Sequence, residues 1–280
     1  MSQSNNPLRQ FFRQPSIYIK LPSNGEFWEQ GALELPENQE VPVFPMTAVD
    51  EITYRTPDAL FNGQAVVDVV QSCVPVIKNA WATPVTDVNS ILVSIRIASY
   101  GHEMEVNTQC PNCSHQEEFV LDLRTVLDQL RSPDYKKVVR LGDLEIYFKP
   151  MTYRDQNSSN IEQFENQRMI RLIPESDLSD DEKIARMTDI MKNITFLTVK
   201  ALKHSIAGIR TPASFVTEPE FIQEFLTSCD RTAFTIIRDH VIGLRTASEL
   251  KPVQLKCTEC EHEYEQQLSL DMASFFAPAS

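Results

Sequence analysis

Glu103-Met-Glu-Val-Asn-Thr-Gln-Cys-Pro-Asn-Cys-Ser-His-Gln-Glu-Glu-Phe-Val-Leu-Asp-Leu123 and Pro252-Val-Gln-Leu-Lys-Cys-Thr-Glu-Cys-Glu-His-Glu-Tyr-Glu-Gln-Gln-Leu-Ser-Leu270 are the two stretches that decide how this chain is organised. Laid over one another they match in more than their thiols: Cys110 with Cys257, Cys113 with Cys260, His115 with His262, Leu121 with Leu268 and Leu123 with Leu270. Each reads as strand, tight cysteine turn, strand. A C-x-x-C turn aims two thiolates at one ion, and two such turns complete a tetrahedral Cys₄ shell for zinc. Ordinary zinc ribbons separate their knuckles by roughly 15–20 residues. Here 143 residues lie between Cys113 and Cys257, which implies a domain inserted between the two hairpins.

Four thiolates leave no open coordination position, so the metal expected at Cys110, Cys113, Cys257 and Cys260 is a structural Zn²⁺ rather than a catalytic one. A pair of redox dithiols, or unligated buried thiols, is the alternative. His115 and His262 stand two residues beyond an already sufficient pair and read as surface residues or supports of the ligands. Cys73 and Cys229 lie in apolar helical runs without a spacing partner and read as buried free thiols.

Outside the knuckles, the first stretch, Pro7 to about Pro45, is punctuated by proline. Ser16-Ile-Tyr-Ile-Lys-Leu21 alternates apolar and polar, and Val41-Pro-Val-Phe-Pro45 cannot be helix. This is the pattern of a β-rich arm. Helical periodicity begins at Thr56-Pro-Asp58 and runs to Cys73, and a second helix follows Pro84 with Asp87 as N-cap and Val88, Ile91, Leu92 and Ile95 as its buried stripe, ending near Gly101. Val138–Phe148 has the composition of a hairpin turning at Gly142-Asp143. From Pro150 the pattern is helical for nearly a hundred residues. Ser179, Asp180 and Asp181 are capping candidates for a helix whose apolar face is Ile184, Met187, Met191, Ile194 and Leu197; two shorter helices carry Phe221 and Phe225, then Phe234, Ile237, Val241 and Leu244. The closing segment 271–276 reads as a short helix. The expected fold class is α+β: a mostly helical domain inserted between the two β-hairpins of a Cys₄ zinc ribbon, with an N-terminal extended β-rich arm. Its boundaries are 1–55 for the arm, 56–101 for a helical segment, 102–125 with 250–276 for the split ribbon, and 126–249 for the inserted hairpin and helices.

Composition bounds function. With 280 residues, 42% of them apolar, 23% charged and a net charge of −13, the chain has enough apolar side chains for a core and the wrong overall sign for coating phosphate backbones or anionic lipid. The fingers are acidic as well, through Glu103, Glu105, Glu117, Glu118, Asp122, Glu259, Glu261, Glu263 and Glu265. Only Arg131, Lys136, Lys137 and Arg140 form a modest basic cluster, so nucleic acid is not the expected partner. No stretch approaches the roughly 20 apolar residues of a membrane span, and the first residues carry no export signal. With only seven glycines the chain lacks a Walker loop, a G-x-G-x-x-G turn and a nucleophile elbow, and it has no H-E-x-x-H. Of the paired carboxylates, Asp50-Glu51 precedes an apolar segment and Asp180-Asp181-Glu182 lies at an expected helix N-terminus, where capping and the helix dipole explain it. No catalytic residue is assigned.

Glu40-Val-Pro-Val-Phe-Pro-Met-Thr-Ala-Val-Asp-Glu-Ile-Thr-Tyr-Arg-Thr-Pro-Asp-Ala-Leu-Phe-Asn-Gly63, Ser72-Cys-Val-Pro-Val-Ile-Lys-Asn-Ala-Trp81 and Ser94-Ile-Arg-Ile-Ala-Ser-Tyr-Gly101, with the first knuckle, resemble the T-even-type baseplate hub proteins of contractile-tailed phages. The resemblance is best over residues 16–125 and loose from Tyr153 to Leu250. It implies a structural component or assembly factor of the baseplate hub, in the virion tail and in the host cytoplasm during assembly, with other baseplate or tail proteins, or further copies of itself, as partners. No catalytic residues carry over with it. The proline-rich arm is expected to bind a neighbouring subunit by strand addition, with Ile17, Tyr18, Ile19, Phe27 and Trp28 as anchors, or else to pack on its own domain. The alternative function is a zinc-ribbon regulator that binds nucleic acid or a polymerase.

Overall fold

The computed structural model describes residues 6–54, 63–174 and 178–267. The expected helix start at Thr56–Asp58 and the expected closing helix at 271–276 lie outside them. The chain is α+β. Two short strands, β1 (Ile17–Ile19) and β2 (Val41–Val43), pair antiparallel with Tyr18 opposite Pro42. Helices α1 (Ala48–Tyr54), α2 (Gln64–Cys73) and α3 (Val85–Tyr100) follow. The first ribbon hairpin is β3 (Glu103–Gln109) and β4 (Gln116–Asp122), and it leads straight into α4 (Leu123–Gln129).

These elements share one core. Ile19, Leu21, Val41, Val43, the apolar face of α2, Ile91 and Ile95 of α3, and Leu123 and Val126 of α4 are all buried in it. Helix α3 is its axis: Ile91, Val93, Ser94 and Ile95 have no exposed surface, as expected of a helix covered on most sides. The N-terminal segment is therefore not a free arm. Ile17 and Ile19 on one strand and Val41 and Val43 on the other form a one-sided apolar face, and such a face is stable only when covered; here this chain's own helices cover it. Asp87 is not the N-cap of α3 either. The cap position belongs to Pro84, and Asp87, in the first turn, points inward.

A second core forms on a four-stranded antiparallel sheet in the order β5 (Val139–Leu141), β6 (Leu144–Phe148), β7 (Ile206–Arg210) and β8 (Phe215–Val216). The hairpin between β5 and β6 turns at Gly142-Asp143, where Gly142 takes φ +58°. At Gly208 an added Cβ would sit 2.5 Å from the tip of the Phe215 ring, so any side chain there would have to push that half-exposed ring aside. Helices α5 (Tyr153–Leu172), α6 (Asp180–Ser205), α7 (Pro219–Ser228) and α8 (Arg231–Ser248) complete this part. Ile146, Phe148, Val199, Leu202, Ile209, Ile222, Leu226 and Ile237 are its buried centre. Strands β7 and β8 interrupt what the sequence reads as continuous helix. Ser179 caps α6 in a reciprocal box with Glu182, as its position suggests. The apolar registers differ from expectation: α7 buries Ile222 and Leu226 while Phe221 stays 60% exposed, and α6 buries Ile190 and Leu197 while Ile184 and Met191 remain in solvent.

The chain closes with β9 (Val253–Lys256) and β10 (Glu263–Gln266), the second ribbon hairpin.

Candidate metal centre

Both hairpins are built the same way at their tips. In the first, the Cys110 N–H donates to the His115 carbonyl at 2.9 Å and the Ser114 N–H donates to the Cys110 carbonyl at 2.9 Å. In the second, the Cys257 N–H donates to the His262 carbonyl at 2.9 Å and the Glu261 N–H to the Cys257 carbonyl at 3.0 Å. Ser114 and Glu261 hold the corresponding left-handed position, with φ of 61° and 55°. Neither is glycine, so each turn keeps a conformation that disfavours its residue by roughly 1–2 kcal/mol. The reward is that both thiols of each C-x-x-C turn point the same way.

The two tips meet although Cys113 and Cys257 are 144 positions apart. Sγ of Cys110 lies 3.6 Å from that of Cys260, and Sγ of Cys113 lies 3.6 Å from that of Cys257. All four sulfurs fall within 4.8 Å of one another. Disulfides need S–S near 2.05 Å, so these thiols are not bonded in pairs. A tetrahedral ion with Zn–S near 2.3 Å requires sulfurs about 3.8 Å apart, and the observed cross-pairs match that edge length. The donor set, four soft sulfurs with tetrahedral spacing, suits zinc or iron. Neither His115 nor His262 belongs to the cluster among the described residues.

Supporting contacts surround the thiols. The Asn112 side-chain N–H₂ points at Cys260 Sγ at 3.6 Å. With the His262 N–H it pulls the Cys260 thiol down to about 6. The His115 N–H pulls the same way on Cys113, but the crowding of Cys260, Cys257 and Cys110 around it prevails and pushes that thiol up to about 12. Metal binding to thiols requires them as thiolates and releases their protons. The hairpins also touch through the buried Thr108 hydroxyl and Tyr264 phenol, 2.5 Å apart, and through the Thr258 N–H donating to a Glu117 carboxylate oxygen at 3.3 Å. These cross-links have no signal in the sequence, because Thr108 and Tyr264 do not correspond in the duplicated register. Among the described residues the apolar content of the junction is small: Tyr264, Leu255 and the cysteines themselves.

The five residues proposed as partner anchors are placed differently from one another. Ile19 is buried, and Ile17 and Trp28 pack on the first core. Trp28 also donates through Nε1 to Asp87 at 2.9 Å, joining the N–H and hydroxyl of Ser23 on that carboxylate. Phe27 meets the Tyr135 ring edge-on with centroids 5.2 Å apart. Tyr18 alone of the five is well exposed, at 60%. Ile17, Ile19 and Trp28 thus pack internally, as in the other expectation for this segment, an arm packed on its own domain.

No helix among the described residues is long and apolar enough to cross a membrane. Among curated proteins and among solved structures nothing matches this chain. One family model does match, described as T4 bacteriophage base plate protein; its match runs over residues 15–277, from the first strand through both cysteine knuckles, and the chain belongs to that family.

Proposed function

We propose that this protein is a structural component or assembly factor of the baseplate hub, acting through protein–protein contacts and not as an enzyme, with one structural Zn²⁺ held by Cys110, Cys113, Cys257 and Cys260. The observation that carries the metal clause is the convergence of four sulfurs at tetrahedral spacing from two hairpins that have almost no apolar core of their own. Zinc supplies what burial does not at this junction: folding energy linked to metal binding. Its chemistry is that of a staple, since a closed thiolate shell offers no position for water or substrate. The residues act around it. Asn112 and the turn N–H groups stabilise sulfur charge, Thr108 and Tyr264 fix the angle between hairpins, and the ribbon holds segment 250–267 against segment 102–125. The boundaries 1–55, 56–101, 102–125 with 250–276, and 126–249 are kept as the proposed division of the chain.

The acidic outer faces of both hairpins, where Glu103, Glu105, Glu118, Glu259, Glu261, Glu263 and Glu265 are all exposed, speak against phosphate as the partner. Work in the host cytoplasm during assembly and residence in the tail follow from the baseplate role. Quantitative mass spectrometry of purified particles tests it. Copies in a multiple of three or six relative to a known tail protein assign a built-in subunit. Presence in infected-cell lysate with absence from particles assigns an assembly factor. Recovery bound to nucleic acid or polymerase, with no baseplate intermediate containing it, would overturn the reading.

A further inference from the structure

The apolar stripe Ile184, Met187, Met191 and Ile194 has the three-four spacing of a helix seam, yet among the described residues it is largely open: Ile184 is 65% exposed, Met191 54% and Ile194 38%, while Met187 is half-buried. Helix α6 carries a second stripe about a quarter-turn away, where Ile190 and Leu197 are buried and Lys200 pairs with Glu162 of α5. One helix thus presents two apolar faces and has a neighbour on one of them. Ile194 also lines a groove of about 560 Å³ among α5, α6 and α8, whose walls include Gln163, Asn166, Leu197, Ala201, Val241 and Ile242. Ile242 stands 52% exposed at its edge. Stripe and groove meet at Ile194, and the α6 track they share runs from Ile184 to Ala201, about 26 Å at the helical rise of 1.5 Å per residue.

Charge identifies what fits. The groove is lined by three cations, Lys149, Arg238 and Arg245, and one anion, Glu249, in a chain whose net charge is −13. Arg245 reaches Glu249 at 3.3 Å and Arg238 reaches Asp239 at 2.8 Å, both in solvent-exposed pairs that a stronger partner can replace; Lys149 makes no ion pair among the described residues. A second copy of the chain is opposed by charge: an antiparallel pairing of two α6 stripes would set Met187 against Met191 and Ile184 against Ile194, but it brings together two chains that each carry a net charge of −13.

We infer that this track is the docking site for a single helix of a partner protein, about 18 residues long, with an apolar stripe flanked by Asp and Glu on the side that faces α8. The partner helix completes a three-helix packing with α6 and α8. The inference does not depend on the cysteine site, so zinc content serves as an independent readout.

The test uses the full chain and a fluorescent 18-residue helical peptide with leucine at heptad core positions and glutamate flanks, followed by anisotropy; the same peptide with lysine flanks is the control. Binding of the glutamate peptide at least tenfold tighter than the lysine peptide is expected. Met191→Glu and Ile194→Glu should each weaken it at least tenfold with thermal melts and zinc content unchanged, because both side chains already face solvent. Arg238→Glu combined with Arg245→Glu should reverse the preference between the peptides. Equal affinity for both peptides, no binding, or indifference to these changes overturns the inference. So does a concentration-dependent dimer in light scattering that Met191→Glu abolishes, which would seat a second copy on the track, or a tenfold gain in peptide affinity on removing residues 268–280, which would seat the chain's own segment there.

Discussion

Asp87 shows how much a single side chain can hold. It has no exposed surface, and its two oxygens accept from the Ser23 N–H, the Ser23 hydroxyl and Trp28 Nε1, joining the N-terminal loop to α3. Burial pushes its carboxyl above the usual carboxylate range against the pull of those three donors. Asp87→Ala leaves all three unpaired in the core, and should destabilise the protein by about 3 kcal/mol, read as a lower urea midpoint at unchanged slope. Asp87→Asn, which keeps the shape and one acceptor, should lose less. The cysteines divide at the same scale. Burial, then the Asp50 charge, pushes the Cys73 thiol up to about 12, so it stays protonated and inert beside Arg13. With zinc bound, alkylation by iodoacetamide should modify none of Cys110, Cys113, Cys257 and Cys260. After chelation Cys260, whose thiol is held down to about 6, should react first, while Cys73, which has no exposed surface, stays unmodified until denaturant is added. Labelling of the four at the same rate before and after chelation would remove the metal from the account.

Helix α5 illustrates what an element's start contributes. Thr152 caps it, its hydroxyl meeting the Asp155 N–H while the Asp155 carboxylate returns to Thr152 and accepts from His204 Nδ1 at 3.0 Å. Partial burial raises Asp155, but the His204 and Thr152 hydrogen bonds outweigh it and hold the group down at about 2, below its ordinary 3.8. A depressed carboxylate contributes stability above its unfolded value and loses it as pH falls. The contribution is therefore full above about pH 4 and disappears toward pH 2. Thr152→Ala should cost about 1 kcal/mol at neutral pH. Asp155→Asn should flatten the fall in melting temperature between pH 4 and 2; an unchanged acid limb would show that other groups govern it. Elements of this kind were largely legible in the sequence. The Ser179 cap, the Gly142-Asp143 hairpin and the end of α3 at Gly101 stand where local chemistry put them, since caps and turns depend on neighbours a few residues away. Strand β7 was not legible, because Ile206 follows Ser205 of α6 with no glycine or proline between them, and only pairing with β6 reveals it. The role of Asp87 escaped for the same reason. Its partners are 59 and 64 positions away, so a good local capping residue was claimed by a distant loop.

Across the whole molecule, the duplicated knuckles were the most legible feature, and the long gap between them has a simple physical consequence. The chain between Leu123 and Pro252 does not need the ribbon to stay attached to the first core, because Tyr153 and Leu250 already pack against that core. The second hairpin is in the opposite position. Among the described residues, what holds it beyond its own strand pairing is Tyr264, Leu255, the thiols and the Thr258 N–H on Glu117, with little apolar surface to keep it docked alone. Metal removal should therefore open the molecule locally. Chelation, or Cys257→Ser, is expected to raise amide exchange in β9 and β10 at least tenfold while α2 and α3, at the centre of the first core, keep their protection. The same treatment should leave the tracts around Ile146 and Ile237 protected, since that core has no thiol in it. Loss of protection everywhere at once would mean that the ribbon, and not the two apolar cores, sets the stability of the fold, whereas unchanged exchange in β9 and β10 would mean that Thr108 and Tyr264 suffice to hold the hairpins without an ion.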